Sequence, residues 1–104
     1  PQGTYSPRAL YMRGNAYWTL ASTPSKNEKA YFTKARDNFQ RVVSDYPDFN
    51  EICNAKNLLA FSLNKLDNHR RALELYDSVR RNASCGAKAV KFADEQAEMI
   101  IGLH

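Results

Sequence analysis

The stretch KARDNFQRVVSDYPDF (residues 34–49) decides the fold. Ala35, Phe39, Val42 and Tyr46 recur at spacings of four, three and four, which lines them up on one face of a helix. Pro47 ends that helix, because it has no N–H to donate and disfavours a helical residue before it. Thirty-seven residues later, RALELYDSVRRNASCG (71–86) repeats the pattern, with Ala72, Tyr76 and Val79 where Ala35, Phe39 and Val42 stood.

Outward from this pair, the chain reads as five helical segments. The first opens at Ser6-Pro7, a good N-cap followed by a residue suited to the first helical position, and carries Leu10, Tyr17 and Leu20. TPSKNEK (23–29) is a polar connection interrupted by Pro24. The second helix covers about 28–45 and the third about 50–66, with Ile52, Ala55, Leu59 and Leu63. DNH (67–69) is a tight turn in which Asp67 or Asn68 caps a fourth helix ending near Arg81. The fifth starts around Ser84 and carries Val90, Ala93, Ala97 and Ile100. No stretch reads as a strand, so the expected class is all-α.

A shared register ties the segments together. Gly14, Ala60 and Ala97 occupy matching places in helices one, three and five, each followed three positions later by Tyr17, Leu63 or Ile100. Ala60 to Ala97 spans 37 residues, as does Ala35 to Ala72, whereas Gly14 to Ala60 spans 46. A nine-residue insertion in the connection around 23–31 accounts for the excess. The register predicts close crossings of Gly14 on Ala35 and of Ala60 on Ala72, with Phe39 and Tyr76 filling the space between successive hairpins.

These positions resemble the tetratricopeptide repeat (TPR), whose pattern places leucine-glycine, tyrosine, alanine, phenylalanine and proline at fixed offsets over about 34 residues. The first unit matches with Leu10, Gly14, Tyr17, Ala35, Phe39 and Pro47, and the second with Leu59-Ala60, Ala72 and Tyr76. Arg13, Leu63 and Ser84 depart from the pattern. The resemblance implies one domain over residues 1–104, a right-handed α-α superhelix. Its parts would be a repeat at about 7–47, a second at about 50–83 and a capping helix at about 84–103, within a longer chain. LYMRGNAYWTL (10–20) and the later ARDNFQRVVSDYP (35–47) also look like the TPR lipoprotein of the bacterial outer-membrane β-barrel assembly machine and the TPR domain of the Tol-Pal coordinator. That likeness thins after Leu66. It implies a bacterial envelope origin, with a periplasmic or a cytoplasmic location both left open.

In such arrays the first helix of each pair lines a concave partner-binding side. Projected onto this chain, that face holds Arg8, Tyr11, Asn15 and Trp18, then Asn54, Asn57, Phe61 and Asn64, then Lys91. Asparagine amides offer both donor and acceptor to a peptide backbone, and Trp and Tyr anchor interfaces. Replacing Asn57 and Trp18 should therefore weaken partner binding without unfolding. An alternative is that Trp18 and Phe61 pack against a neighbouring helix. The carboxylate clamp of chaperone-binding members matches only at Asn15 and Lys91; Tyr11, Leu58 and Glu95 fill its other places, and an acid where the clamp needs arginine argues against terminal-carboxylate binding.

The remaining chemistry is sparse. The chain of 104 residues is 43% hydrophobic and 25% charged, which fits a globular domain rather than disorder. No apolar run approaches the roughly 18 residues a membrane span needs. The net charge of +4 is spread along the length, with doublets only at Arg70-Arg71 and Arg80-Arg81, so solvated helix faces explain it better than a nucleic-acid surface. Cys53 and Cys85 show no metal or redox spacing; they read as separate thiols, with a bridge if the protein is exported. Asn82-Ala83-Ser84 fits the short glycosylation pattern. His69 and His104 form no catalytic pair, and Asp45, Asp48 and Glu51 around Pro47 suit helix ends rather than an acid-base dyad. The expectation is a non-enzymatic, cofactor-free module for a protein or peptide partner, with self-association left open. The alternatives are a nucleic-acid-binding helical repeat using Arg70, Arg71, Arg80, Arg81 and Lys88, or a structural dimerisation module.

Overall fold

The computed structural model describes residues 5–24 and 26–103, with the side chain of residue 103 left aside. Pro1 to Thr4, Ser25 and His104, assigned above to the same domain, lie outside the described residues. Five α-helices follow one another: α1 (Pro7–Ser22), α2 (Glu28–Asp45), α3 (Ile52–Lys65), α4 (His69–Arg80) and α5 (Ala87–Leu103). Among the described residues there is no strand.

The ends follow from local chemistry. Ser6 Oγ accepts the Ala9 N–H at 3.1 Å, and Pro7 opens α1. Tyr46 closes α2, its N–H on the Val42 carbonyl, just before Pro47. Asn68, rather than Asp67, caps α4 by accepting the Arg71 N–H at 3.3 Å. Asp67 instead takes the left-handed conformation (φ 68°) that turns the chain out of α3, a conformation aspartate tolerates better than most residues. The last boundary differs from expectation. Ala83–Cys85 is a separate 3₁₀ turn capped by Asn82, whose Oδ1 accepts the Ser84 N–H at 3.1 Å. Gly86 follows with φ 89°, so α5 starts at Ala87 rather than near Ser84.

The most extensive contacts join consecutive helices, and α3 also meets α1 and α5. The principal extents are 42 × 36 × 20 Å. The repeat register predicts the core. Ala35 and Ala72, Phe39 and Tyr76, Val42 and Val79, and Ala60 and Ala97 are all buried. Ala35, Phe39, Leu59, Ala60, Ala72, Tyr76, Ala93 and Ala97 belong to one continuous cluster reaching from α2 to α5. Leu10, Val42 and Ala55 form a smaller one. On α5, Lys88, Lys91, Asp94, Glu95 and Glu98 are exposed, and Arg80 of α4 reaches across to Asp94 at 3.2 Å and Glu98 at 3.7 Å.

Two expectations are corrected. A Cβ on Gly14 would meet Phe39 first, at 2.6 Å from Cε1 and 2.8 Å from Cζ. The glycine therefore makes room for an aromatic ring, not chiefly for Ala35. The nine-residue insertion, in turn, lies mostly inside helices. Relative to the second hairpin, α1 runs three residues further past Gly14 and α2 starts four residues earlier before Ala35, leaving only two for the link. The added turn of α1 contains the buried Ala21, and that of α2 leads into the buried Phe32, whose ring lies 6.1 Å from that of Phe61.

One buried group is at odds with its surroundings. The Tyr76 hydroxyl is buried with no hydrogen-bond partner among the described residues, and burial pushes its pKa above the ordinary 10.0. An orphaned buried hydroxyl costs about 1–3 kcal/mol. Tyr76→Phe is therefore expected to raise stability by about 1 kcal/mol in urea unfolding. It should also remove a pH effect. With the folded pKa raised, the hydroxyl ionises in the unfolded chain but not in the folded one above pH 10, so wild-type stability falls as pH climbs there. An unchanged or lower midpoint in the variant would mean that the hydroxyl is satisfied in solution.

Candidate functional site

A cleft of about 400 Å³ is lined by Tyr11 of α1, by Asn54, Asn57 and Leu58 of α3, by Cys85, and by Lys88, Ala89 and Phe92 of α5. Three alternate helices thus share one wall. Tyr11 leans edge-on against Phe39 and Phe49, with ring centroids 6.0 and 5.5 Å away. Burial raises its pKa; the neighbouring Asn15 and Asn54 amides oppose the shift, and the Glu51 charge adds to it. The hydroxyl is therefore a neutral donor at physiological pH. Asn54 is exposed and donates to Glu51 Oε1 at 2.7 Å.

Asn57 plays a different part from the one expected. It is only 3% exposed, and its Nδ2 donates to the Ala89 carbonyl at 3.1 Å, fastening the first turn of α5 to α3. Its replacement would disturb the fold as well as the cleft. The same region is held covalently: Cys53 of α3 and Cys85 form a disulfide with a Cα–Cα distance of 5.6 Å. The reading of two separate thiols is thus corrected. The 3₁₀ turn brings Cys85 back over the start of α3, which neither cysteine's neighbours in sequence reveal.

The other expected groove residues fall elsewhere. Trp18 meets Phe61 edge-to-face at 5.4 Å, and its Nε1 is buried without a partner among the described residues. These two rings pack on each other, the alternative noted above. Lys65 Nζ lies 5.5 Å from the Phe61 centroid. Asn64 accepts from His69 Nδ1 across the α3–α4 turn. Arg8 and Lys91 are exposed outside the cleft. The structure thus gathers Tyr11, Asn54 and Asn57, and not Arg8, Asn15, Trp18, Phe61, Asn64 or Lys91. It adds Leu58, Cys85, Lys88, Ala89 and Phe92. Lys88, Ala89 and Phe92 recur at helical spacing, a signal present in the sequence; Cys85 gave none.

Among the described residues, no group of three or more His, Cys, Asp and Glu side chains gathers as a metal site would require, and no helix is long and apolar enough to cross a membrane. Neither a family model, nor a curated protein, nor a solved structure matches the chain.

Proposed function

We propose that this chain is a TPR-like interaction module, a right-handed superhelical array whose concave side accepts a peptide or helix of a partner protein. The observation that carries the reading is the cleft itself: α1, α3 and α5, the first helices of successive pairs in the register, line one hollow. Its volume lies in the range of ligand-sized sites. Its lining combines apolar surface at Leu58, Ala89 and Phe92 with polar tips from Tyr11, Asn54 and Lys88, the mixture that anchors a side chain while bonding a backbone. The Cys53–Cys85 bridge supports an oxidising compartment, in keeping with the envelope location that the sequence resemblance implies.

The nucleic-acid reading is weakened by ion pairing in its proposed basic patch. Arg71 lies 3.6 Å from Glu74, and Arg80 lies 2.8 Å from Asp77 besides its contacts to α5. Cations already spent on carboxylates release few counterions from a phosphate backbone.

Peptides selected from a displayed random library against the folded domain provide the test. Lys88→Glu and Asn54→Ala alter exposed cleft residues, so each is expected to weaken those peptides by roughly tenfold, the loss of one good polar contact, with an unchanged melting temperature. Peptides that bind both variants as tightly as the parent would move the site off this cleft.

A further inference from the structure

We infer that the seam between α1 and α2 is a second docking surface, separate from the cleft, for an acidic segment of a partner protein. Charge distribution is the first ground. Seven basic and three acidic residues precede Tyr46, and eight of each follow it, so the whole net charge of +4 belongs to the first hairpin. The second ground is how those cations are held. On α4, Arg71 and Arg80 are paired with carboxylates. On the α1–α2 seam two cations lie over rings instead: Arg13 Cζ is 4.7 Å from the Tyr5 centroid and Lys34 Nζ is 5.7 Å from that of Tyr17. A ring face orients a cation without neutralising it.

The third ground is shape. Arg13, Arg41, Asn38 and Tyr5 line a hollow of about 290 Å³ together with Asp37. Asp37 is engaged by Arg36 at 2.9 Å, and neither Arg13 nor Arg41 forms an ion pair among the described residues. Lys34, Asn38 and Arg41 follow one another at intervals of four and three, one face of α2. Two guanidinium forks beside one hollow suit carboxylates, which they bind in bidentate fashion. A peptide fits better than single-stranded nucleic acid, since base stacking needs free aromatic faces. Here Arg13 covers Tyr5, Lys34 covers Tyr17, and Tyr17 stacks on Tyr31 at 6.3 Å.

The probe is a fluorescein-labelled oligo-glutamate peptide, followed by anisotropy at low and high salt, with a neutral oligo-glutamine peptide and a single-stranded oligonucleotide as comparisons. The glutamate peptide is expected to bind the oxidised domain in a salt-sensitive way. Arg13→Glu with Arg41→Glu should weaken it by roughly tenfold or more, the loss of one or more charge-assisted contacts, with the circular dichroism spectrum retained. Lys88→Glu in the cleft should leave it unchanged, so this surface and the cleft fail or succeed separately. No binding at low salt overturns the inference. So does equal binding by the double variant, equal binding of the glutamine peptide, or arginine-dependent binding of the oligonucleotide tighter than that of the glutamate peptide. Should the double variant lose its fold, Arg13→Gln and Arg41→Gln singly provide the same comparison.

Discussion

Breaking the Cys53–Cys85 bridge is expected to lower the unfolding free energy by about 3–4 kcal/mol and the melting temperature by roughly 15 °C. The bridge joins residues 32 apart, and closing a loop of that length removes about that much entropy from the unfolded chain. A domain of this size has a total stability of about 5–15 kcal/mol, so the loss is a large share. The loop closed by the bridge contains all of α4 and the 3₁₀ turn, so the restraint spans the second hairpin and the approach to α5. Thermal melts with and without reductant, beside a Cys53→Ser, Cys85→Ser double variant, give the measurement. The variant should match the reduced parent, and reductant should then change nothing further. A parent whose midpoint ignores reductant would mean that the bridge does not constrain the chain.

A second covalent-like consequence follows from where the bridge lies. Cys85 lines the cleft, and Asn57 holds Ala89 one turn further along. The wall contributed by α5 is thus fixed to α3 at two points before the helix has completed two turns. Without the bridge, the exposed connection at 81–84 keeps that amide and the packing of α4 and α5 on α3. The stability and the shape of the candidate site therefore draw on the same few bonds.

How much of this was legible in the sequence depends on the kind of position. Burial at Ala35 and Ala72, Phe39 and Tyr76, and Val42 and Val79 follows from helical periodicity, because a side chain's direction is set by its place in the turn. The length of α1 and α2 was not legible. Lys26, Asn27, Glu28 and Lys29 suit an exposed first turn as well as a loop, and only the burial of Ala21 and Phe32 separates the two. The cleft was half legible. Positions three apart on a helix still differ by about 60° around its axis, so Asn54 stays in water while Asn57 turns inward onto Ala89. On α5, the interruption at Gly86 displaced the start of the helix, and Lys88 rather than Lys91 meets the cleft.

Phe39→Ala is expected to cost about 3–5 kcal/mol, the usual loss for a fully buried aromatic side chain in a core that cannot collapse around the void. Phe39 has no exposed surface and sits in the cluster that reaches from α2 through α3 and α4 to α5, so its removal strikes the contact between the two hairpins. The same ring explains Gly14. In an exposed helix interior, Gly→Ala would gain about 1 kcal/mol from backbone entropy. Here the new Cβ would lie 2.6–2.9 Å from three ring atoms of Phe39, and a ring buried on every side has nowhere to retreat. Overpacking of this kind costs about 1–3 kcal/mol, so Gly14→Ala should destabilise the parent despite its better helix propensity. In a Phe39→Leu background the sign should reverse. Leucine lacks counterparts of Cε1 and Cζ, the two atoms closest to the added methyl, and its remaining Cδ atom can turn into the space the ring vacates, so the alanine keeps its propensity gain with the clash relieved. Urea unfolding of the four chains closes a double-mutant cycle, and a coupling of about 1 kcal/mol or more in the favourable direction is the expected result. Additive single effects would mean that the ring and the glycine do not share a crossing, and the geometry that joins α1 to α2 would have to be redrawn.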